Sequence, residues 1–221
     1  MRKLLLTLAA VLPFRIKRLI YIRVFGYEIG DGCYIGLSFI YVRKLRMESG
    51  SRIGKFNFVK EIPLLHLCSE ASIGSFNHFA FVERHRTSTL PDYSEIFLEL
   101  GRSAAITSGH YFDLGDSIKI GAFTTIAGKA SQFWTHGIDV ATGVQSGKPL
   151  VVGDYCLICS SVRLIGGTII GDRCVIGAGS VVVKSFLEPY SLVGGNPATF
   201  IKKMPGDGAY FHRSERDVLW A

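Results

Sequence analysis

Proline is scarce in this chain, at 7 of 221 residues, and only 19% of the residues are charged against 48% that are hydrophobic. Such a composition excludes a disordered chain. The 25 glycines follow no period of three, which excludes a collagen-like helix. The apolar stretch behind Arg2 and Lys3 covers residues 4–14, which is 11 residues, well short of the roughly 20 that span a bilayer. Arg15, Lys17, Arg18 and Arg23 follow it where a secretory signal would place a small-residue cleavage site. The five cysteines are an odd number, and Cys156-x-x-Cys159 has neither a second such pair nor a nearby histidine. That excludes a disulfide scaffold and a zinc ribbon, and reads as reduced thiols in a cytoplasmic protein.

What is present is length for one domain with a small appendage and an uneven charge. Lys plus Arg exceed Asp plus Glu by 25 − 18 = 7, and residues 1–60 hold 12 basic against 3 acidic residues while the remainder holds 13 against 15. The positive charge is a property of the N-terminal end. It accompanies no nucleic-acid motif, so no nucleic-acid partner is expected. Residues 1–25 predict a helical segment interrupted at Pro13. Its two readings are a cap packed over an open end of the fold and a helix at the inner face of a membrane; the cap is preferred because the apolar stripe is imperfect.

A period of six organises the rest. Val152, Ile158, Leu164, Ile170, Ile176 and Val182 recur without a break, and four residues after the aliphatics come Cys156, Val162, Thr168, Cys174 and Ser180. The same register runs through Ile29, Ile35, Tyr41, Met47, Ile53 and Val59, and in shorter form through Leu67, Ile73, Phe79 and through Leu114, Ile120, Ile126, with a slip of two between Ile106 and Leu114. Six fits neither a helix nor a free alternating strand, but it fits a short strand and a tight corner, three of which close a triangular coil. Coils stacked at about 4.8 Å then place Val152 on Ile170, Ile158 on Ile176, Leu164 on Val182 and Cys156 on Cys174. The cysteines are thereby explained as compact interior residues.

The register fails at Gln132 and Ser146, so a loop of about 131–149 is expected to leave the coil, carrying Trp134, Thr135, His136 and Asp139. A solenoid accepts such an insertion without disturbing its stack, which makes it a natural carrier of function. The expected division is a helical segment 1–25, a β-helix 26–203 and a tail 204–221.

The stretch from Gly147 to Lys203, with GAGSVV, KSFLEPYS and GNPA before a basic tail, resembles the signature of the hexapeptide-repeat acyltransferases, the group of galactoside and maltose O-acetyltransferases and of polysaccharide-biosynthesis acetyltransferases. The resemblance is strong from about Leu100 to Lys203 and loose before it. It implies an all-β, left-handed parallel β-helix, a homotrimer, acetyl-CoA bound between neighbouring subunits, no metal, and transfer of acetyl to a sugar hydroxyl. Thr135-His136 matches the family's catalytic histidine motif, with Gly137 where proline is usual. Ser160, Ala178, Gly179, Val183, Lys184 and Lys202 match the coenzyme A positions, and Thr199 stands where the family has a basic residue.

Imidazole is suited to take a hydroxyl proton at neutral pH, so His136 is the candidate general base, with Asp139 as the candidate carboxylate to orient it, a role that a backbone carbonyl could also fill. The family's acceptor-holding asparagine is absent from the Thr107–Asp113 stretch, and His110 or Asp113 takes its place, with Trp134 either packing on the acceptor or anchoring the loop. The competing readings are transfer to an amino sugar, a carbonic-anhydrase-like metal protein using His78, His110 and His136, and a non-catalytic β-helix.

Overall fold

The computed structural model describes residues 2–81 and 96–215. Met1 and the end of the expected tail, 216–221, lie outside the described residues. Pro13 divides the N-terminal segment into helices α1, Arg2–Val11, and α2, Phe14–Phe25. Its ring cannot continue α1 but suits the start of α2. Gly26 ends α2 in the left-handed conformation at φ 69°, and its N–H closes on Ile22 O. The inner faces bury Leu6 and Ala9 of α1 and Lys17 and Tyr21 of α2. Tyr21 meets Phe25 and Tyr27 edge-on, and Lys17 Nζ donates to Gly36 O at 2.6 Å. Burial lowers the Lys17 ammonium from its ordinary range. The pair therefore closes the first coil as a packed cap, while Leu4, Leu8, Val11, Ile16, Leu19 and Val24 stay exposed on its outer side.

Beyond the cap the chain winds as a parallel β-helix. The stacking pairs expected from the six-residue period occur in register: Val152 with Ile170, Ile158 with Ile176 and Leu164 with Val182. One face is a nine-stranded sheet, from Tyr34–Ile35 at one end to Ala198–Lys203 at the other. The other two faces merge into one twelve-stranded sheet, because Phe39–Met47 and Phe58–Leu67 are long enough to run from one face to the next. Cys156 and Cys174 are buried in the column, and burial pushes the Cys156 thiol up to about 12.

Two expected positions are corrected. Tyr41 is not an inward residue: strand alternation puts Ile40 and Val42 in the interior while Tyr41 between them is only partly buried, and the partner strand accommodates the shift with an extra residue, Glu61, opposite Tyr41 and Val42. The coil also does not break at Gln132. The register slips by one, so that Phe133 points inward and stacks on Phe112 at 4.3 Å, and Gln132–Trp134 pairs with both Tyr111–Asp113 and Arg163–Ile165. The excursion is accordingly shorter than 131–149. It is an antiparallel hairpin of His136–Asp139 with Val144–Gly147, and the coil resumes at Leu150.

The tail folds back on the coils. Tyr210, in the short helix Ala209–His212, donates its hydroxyl to Cys156 O at 2.9 Å, and Arg213 donates to the Phe123 carbonyl.

Candidate active site

Asp113 lies in the strand Tyr111–Leu114, between Phe112 and Leu114, which both face the interior. The two-residue slip read from the sequence falls within this strand; alternation turns Asp113 to the face opposite Phe112 and Leu114, where the His136 ring meets it and its side chain is 2% exposed. One coil further on, Thr135 is anchored from both sides: its hydroxyl donates to Asp113 O at 2.7 Å and accepts the Asp116 N–H at 2.9 Å. That anchor fixes the first residue of the hairpin, His136, whose Nδ1 lies 2.5 Å from Asp113 Oδ1. An ionised carboxylate only accepts, so Nδ1 carries the proton and Nε2 is left as the lone-pair nitrogen. His136 lines a cavity of about 270 Å³ together with Thr135, Ser146, Lys148, Ile165 and Gly166.

The structure revises two candidate roles. Asp139 does not orient His136. It is exposed at the hairpin turn, where its Oδ1 accepts the N–H groups of Ala141 and Thr142 at 2.9 and 3.0 Å, and those bonds hold its carboxyl below the usual range. Asp113 supplies a carboxylate at hydrogen-bond distance instead, through Oδ1. His110 does not hold an acceptor, because both of its ring nitrogens are engaged inside the coil. Nδ1 accepts the Ser131 N–H at 3.2 Å and Nε2 meets Thr107 Oγ1 at 2.9 Å. The residue is one rung of a buried polar ladder, in which Asn57 N–H donates to Ser38 Oγ, Asn77 N–H to Asn57 Oδ1 and His110 N–H to Asn77 Oδ1. Burial pushes the His110 imidazole down to about 4. With His110 consumed in this way, His78, His110 and His136 form no shared ligand set.

Trp134 is half-buried two residues before His136. Its ring lies 5.0 Å from that of Tyr111, at the end of a run of rings through His78, Phe58 and Phe39.

Ser160 and Ala178–Gly179 occupy the same corner of successive coils, joined by the Gly179 N–H to Ser160 O bond of 3.0 Å. Gly179 has a φ of 73° and turns this corner. Val183 and Lys184 are exposed just past the strand Val181–Val182, with Lys184 Nζ 5.7 Å from the centre of the Phe186 ring. Lys202 is exposed in the terminal hairpin opposite Leu192. None of these six lines the His136 cavity of the same chain. The Asp113 and Thr135 anchors were missed from the sequence alone; the 23-residue interval to His136 signals contact only once the strand register is known.

The fold and site define a hexapeptide-repeat β-helix with a histidine hairpin. Residues 149–184 match the family model described as bacterial transferase hexapeptide (six repeats), and the hand of the helix is left, as in the solved structures that share the fold. Over 120 residues the chain is 36% identical to a probable macrolide acetyltransferase of Lysinibacillus sphaericus, a match that covers 44% of this chain and 66% of that one. The chain thus spans under two thirds of this relative, and about a third of the serine acetyltransferases of Arabidopsis thaliana that it also matches. A hexapeptide-repeat acetyltransferase of Vibrio cholerae has a similar fold, with a TM-score of 0.51 at 19% identity, covering 92% of this chain and 89% of that one. An N-acyltransferase of Bacillus cereus, solved with dTDP-4-amino-4,6-dideoxyglucose and coenzyme A, reaches 0.52 at 14% identity, covering 86% and 88%.

Proposed function

We propose that this protein is an acyl-CoA-dependent acyltransferase that moves an acetyl group from acetyl-CoA to a sugar hydroxyl, with His136 as general base. The observation that carries the reading is the bond from His136 Nδ1 to Asp113 at the wall of the cavity. It leaves Nε2 to take the hydroxyl proton as the acceptor oxygen attacks the thioester carbonyl. The carbon–sulfur bond then breaks, the imidazolium returns the proton to the departing thiolate, and no acyl-enzyme is required. Asp113 stabilises the imidazolium that forms between these two transfers.

Acetyl-CoA would run along Ser160, Ala178 and Gly179, with Val183 beside the pantetheine and Lys184 and Lys202 on the phosphates. That these residues stand apart from the His136 cavity in one chain supports a site completed by a second subunit, and with it a homotrimer. The relatives' descriptions name a macrolide and a nucleotide-linked amino sugar, so hydroxyl and amine acceptors on glycosylated compounds form the class to screen; transfer to an amine is the second reading. The test is release of free coenzyme A thiol over a panel of sugar nucleotides, oligosaccharides and amino sugars. Release with none of them, together with no acetyl-CoA binding, would leave a non-catalytic β-helix.

Among the described residues no helix is long and apolar enough to cross a membrane. The exposed apolar side of the α1–α2 cap, flanked by exposed Arg15 and Arg23, supports peripheral contact with an anionic membrane surface.

A further inference from the structure

We propose that Glu48, His66 and Cys68 form a binding site for a divalent transition-metal ion of the zinc type, separate from the His136 cavity. Glu48 and His66 are 18 residues apart, one full coil, and Cys68 lies two residues beyond His66, where a side chain returns to the same side of a strand. The fold brings one ligand atom from each within 4.8 Å of the others. Glu48 Oε1 lies 3.1 Å from His66 Nε2, and Cys68 Sγ lies 3.9 Å from the same nitrogen. Zinc bound tetrahedrally by nitrogen and thiolate sets those two atoms roughly 3.6 Å apart, so His66 and Cys68 close on an ion with a movement of a few tenths of an ångström, and the Glu48 carboxylate, within 4.8 Å of both, swings in to complete the set.

A second observation points the same way. His66 Nδ1 lies 3.2 Å from Glu99 Oε2, and Lys119 Nζ holds the other oxygen of Glu99 at 3.4 Å. Both carboxylates beside the imidazole accept hydrogen bonds and donate none. Glu99 is placed to hold Nδ1, and the other ring nitrogen, Nε2, faces Glu48 Oε1 at 3.1 Å and Cys68 Sγ at 3.9 Å. Carboxylate–histidine–metal is the usual way a protein fixes a ligating imidazole. The Ser69 N–H to Glu48 Oε2 bond of 3.0 Å holds the second ligand in place. One nitrogen, one thiolate and one carboxylate suit zinc or cobalt and do not suit magnesium or calcium. Three protein ligands leave a fourth position for water or a further donor.

The test is titration of the metal-free full-length protein with cobalt(II). One equivalent per chain should produce a thiolate-to-cobalt charge-transfer absorption in the near ultraviolet that zinc displaces. Cys68→Ser and His66→Gln should remove the absorption, and Glu99→Gln should weaken cobalt affinity about 10- to 100-fold. In the wild type, zinc should also shield Cys68 from alkylation while leaving the half-buried Cys159 as reactive as before, a readout independent of how the variants fold. No absorption in the wild type, its persistence in Cys68→Ser, or equal alkylation of Cys68 with and without zinc would each overturn the proposal. None of these readouts depends on acyl transfer.

Discussion

His136 Nδ1 and Asp113 Oδ1 are 2.5 Å apart although 23 residues separate them along the chain. The distance is set by the coil: strand Tyr111–Asp113 pairs directly with Gln132–Trp134, and the Thr135 hydroxyl ties the next residue to the Asp113 carbonyl. The imidazole is thus placed by rigid elements, although it begins an exposed hairpin.

Asp113→Asn is therefore expected to lower turnover by about 10²- to 10⁴-fold, because an amide N–H facing Nδ1 reverses the tautomer and places the proton on Nε2. The melting temperature should hold or rise, since the substitution removes a buried charge without changing its shape. Steady-state rates and thermal melts check both halves. Unchanged turnover would show that the carboxylate does not set the tautomer.

Gly115 makes room for His136. A Cβ built on Gly115 would stand 2.5 Å from the His136 Cβ, so Gly115→Ala must push the hairpin outward. A displacement of this size should cost roughly tenfold to a hundredfold in turnover. Acetyl-CoA affinity, measured by calorimetry, should change little.

His110 gives the fold a sensitivity to acid. Its imidazole is held at about 4 in the folded protein against an ordinary 6.5. Below pH 6.5 the unfolded chain binds a proton that the folded chain refuses, so stability is full above that value and falls as pH drops toward 4. Denaturant midpoints across this window should reveal a loss on the order of 2–3 kcal/mol, superimposed on other titrations. His110→Asn, which keeps an acceptor in the ladder and takes up no proton, should flatten that part of the curve.

The two sides of the N-terminal cap separate by mutation. Tyr21→Ala removes a fully buried ring and should cost about 3–5 kcal/mol. Leu4→Glu with Leu8→Glu and Leu19→Glu alters only the exposed side. It should leave the melting temperature unchanged while abolishing sedimentation with anionic vesicles, an association that added salt should also weaken. Equal sedimentation of the triple variant and the wild type would remove the membrane from the account.

The solenoid was legible because an 18-residue coil imposes its period on the interior: Val152, Ile158 and Leu164 each stack on the residue one coil later. The histidine hairpin was legible as a break in that period. Its boundary was misread, because Phe133 can satisfy the interior after a slip of one residue, and a fixed period of six cannot register that. The partner of His136 was misread for a related reason. Nearness in sequence favoured Asp139, whereas contacts in a β-helix join residues one coil apart, and Asp113 is reached only when inserted residues are counted. His110 was assigned to substrate because it lies in the stretch where the family's acceptor-holding asparagine is absent; its engagement with Thr107 and Ser131 follows from a corner geometry that composition does not encode.

The most direct measurement is the rate of coenzyme A thiol release by His136→Ala and by the wild type, on the best acceptor of the panel, alongside acetyl-CoA affinity for each. The account predicts a fall in turnover of at least about a hundredfold with affinity nearly unchanged. Turnover equal to the wild type, or a loss of acetyl-CoA affinity as large as the loss of rate, would contradict the assignment of His136 as the base.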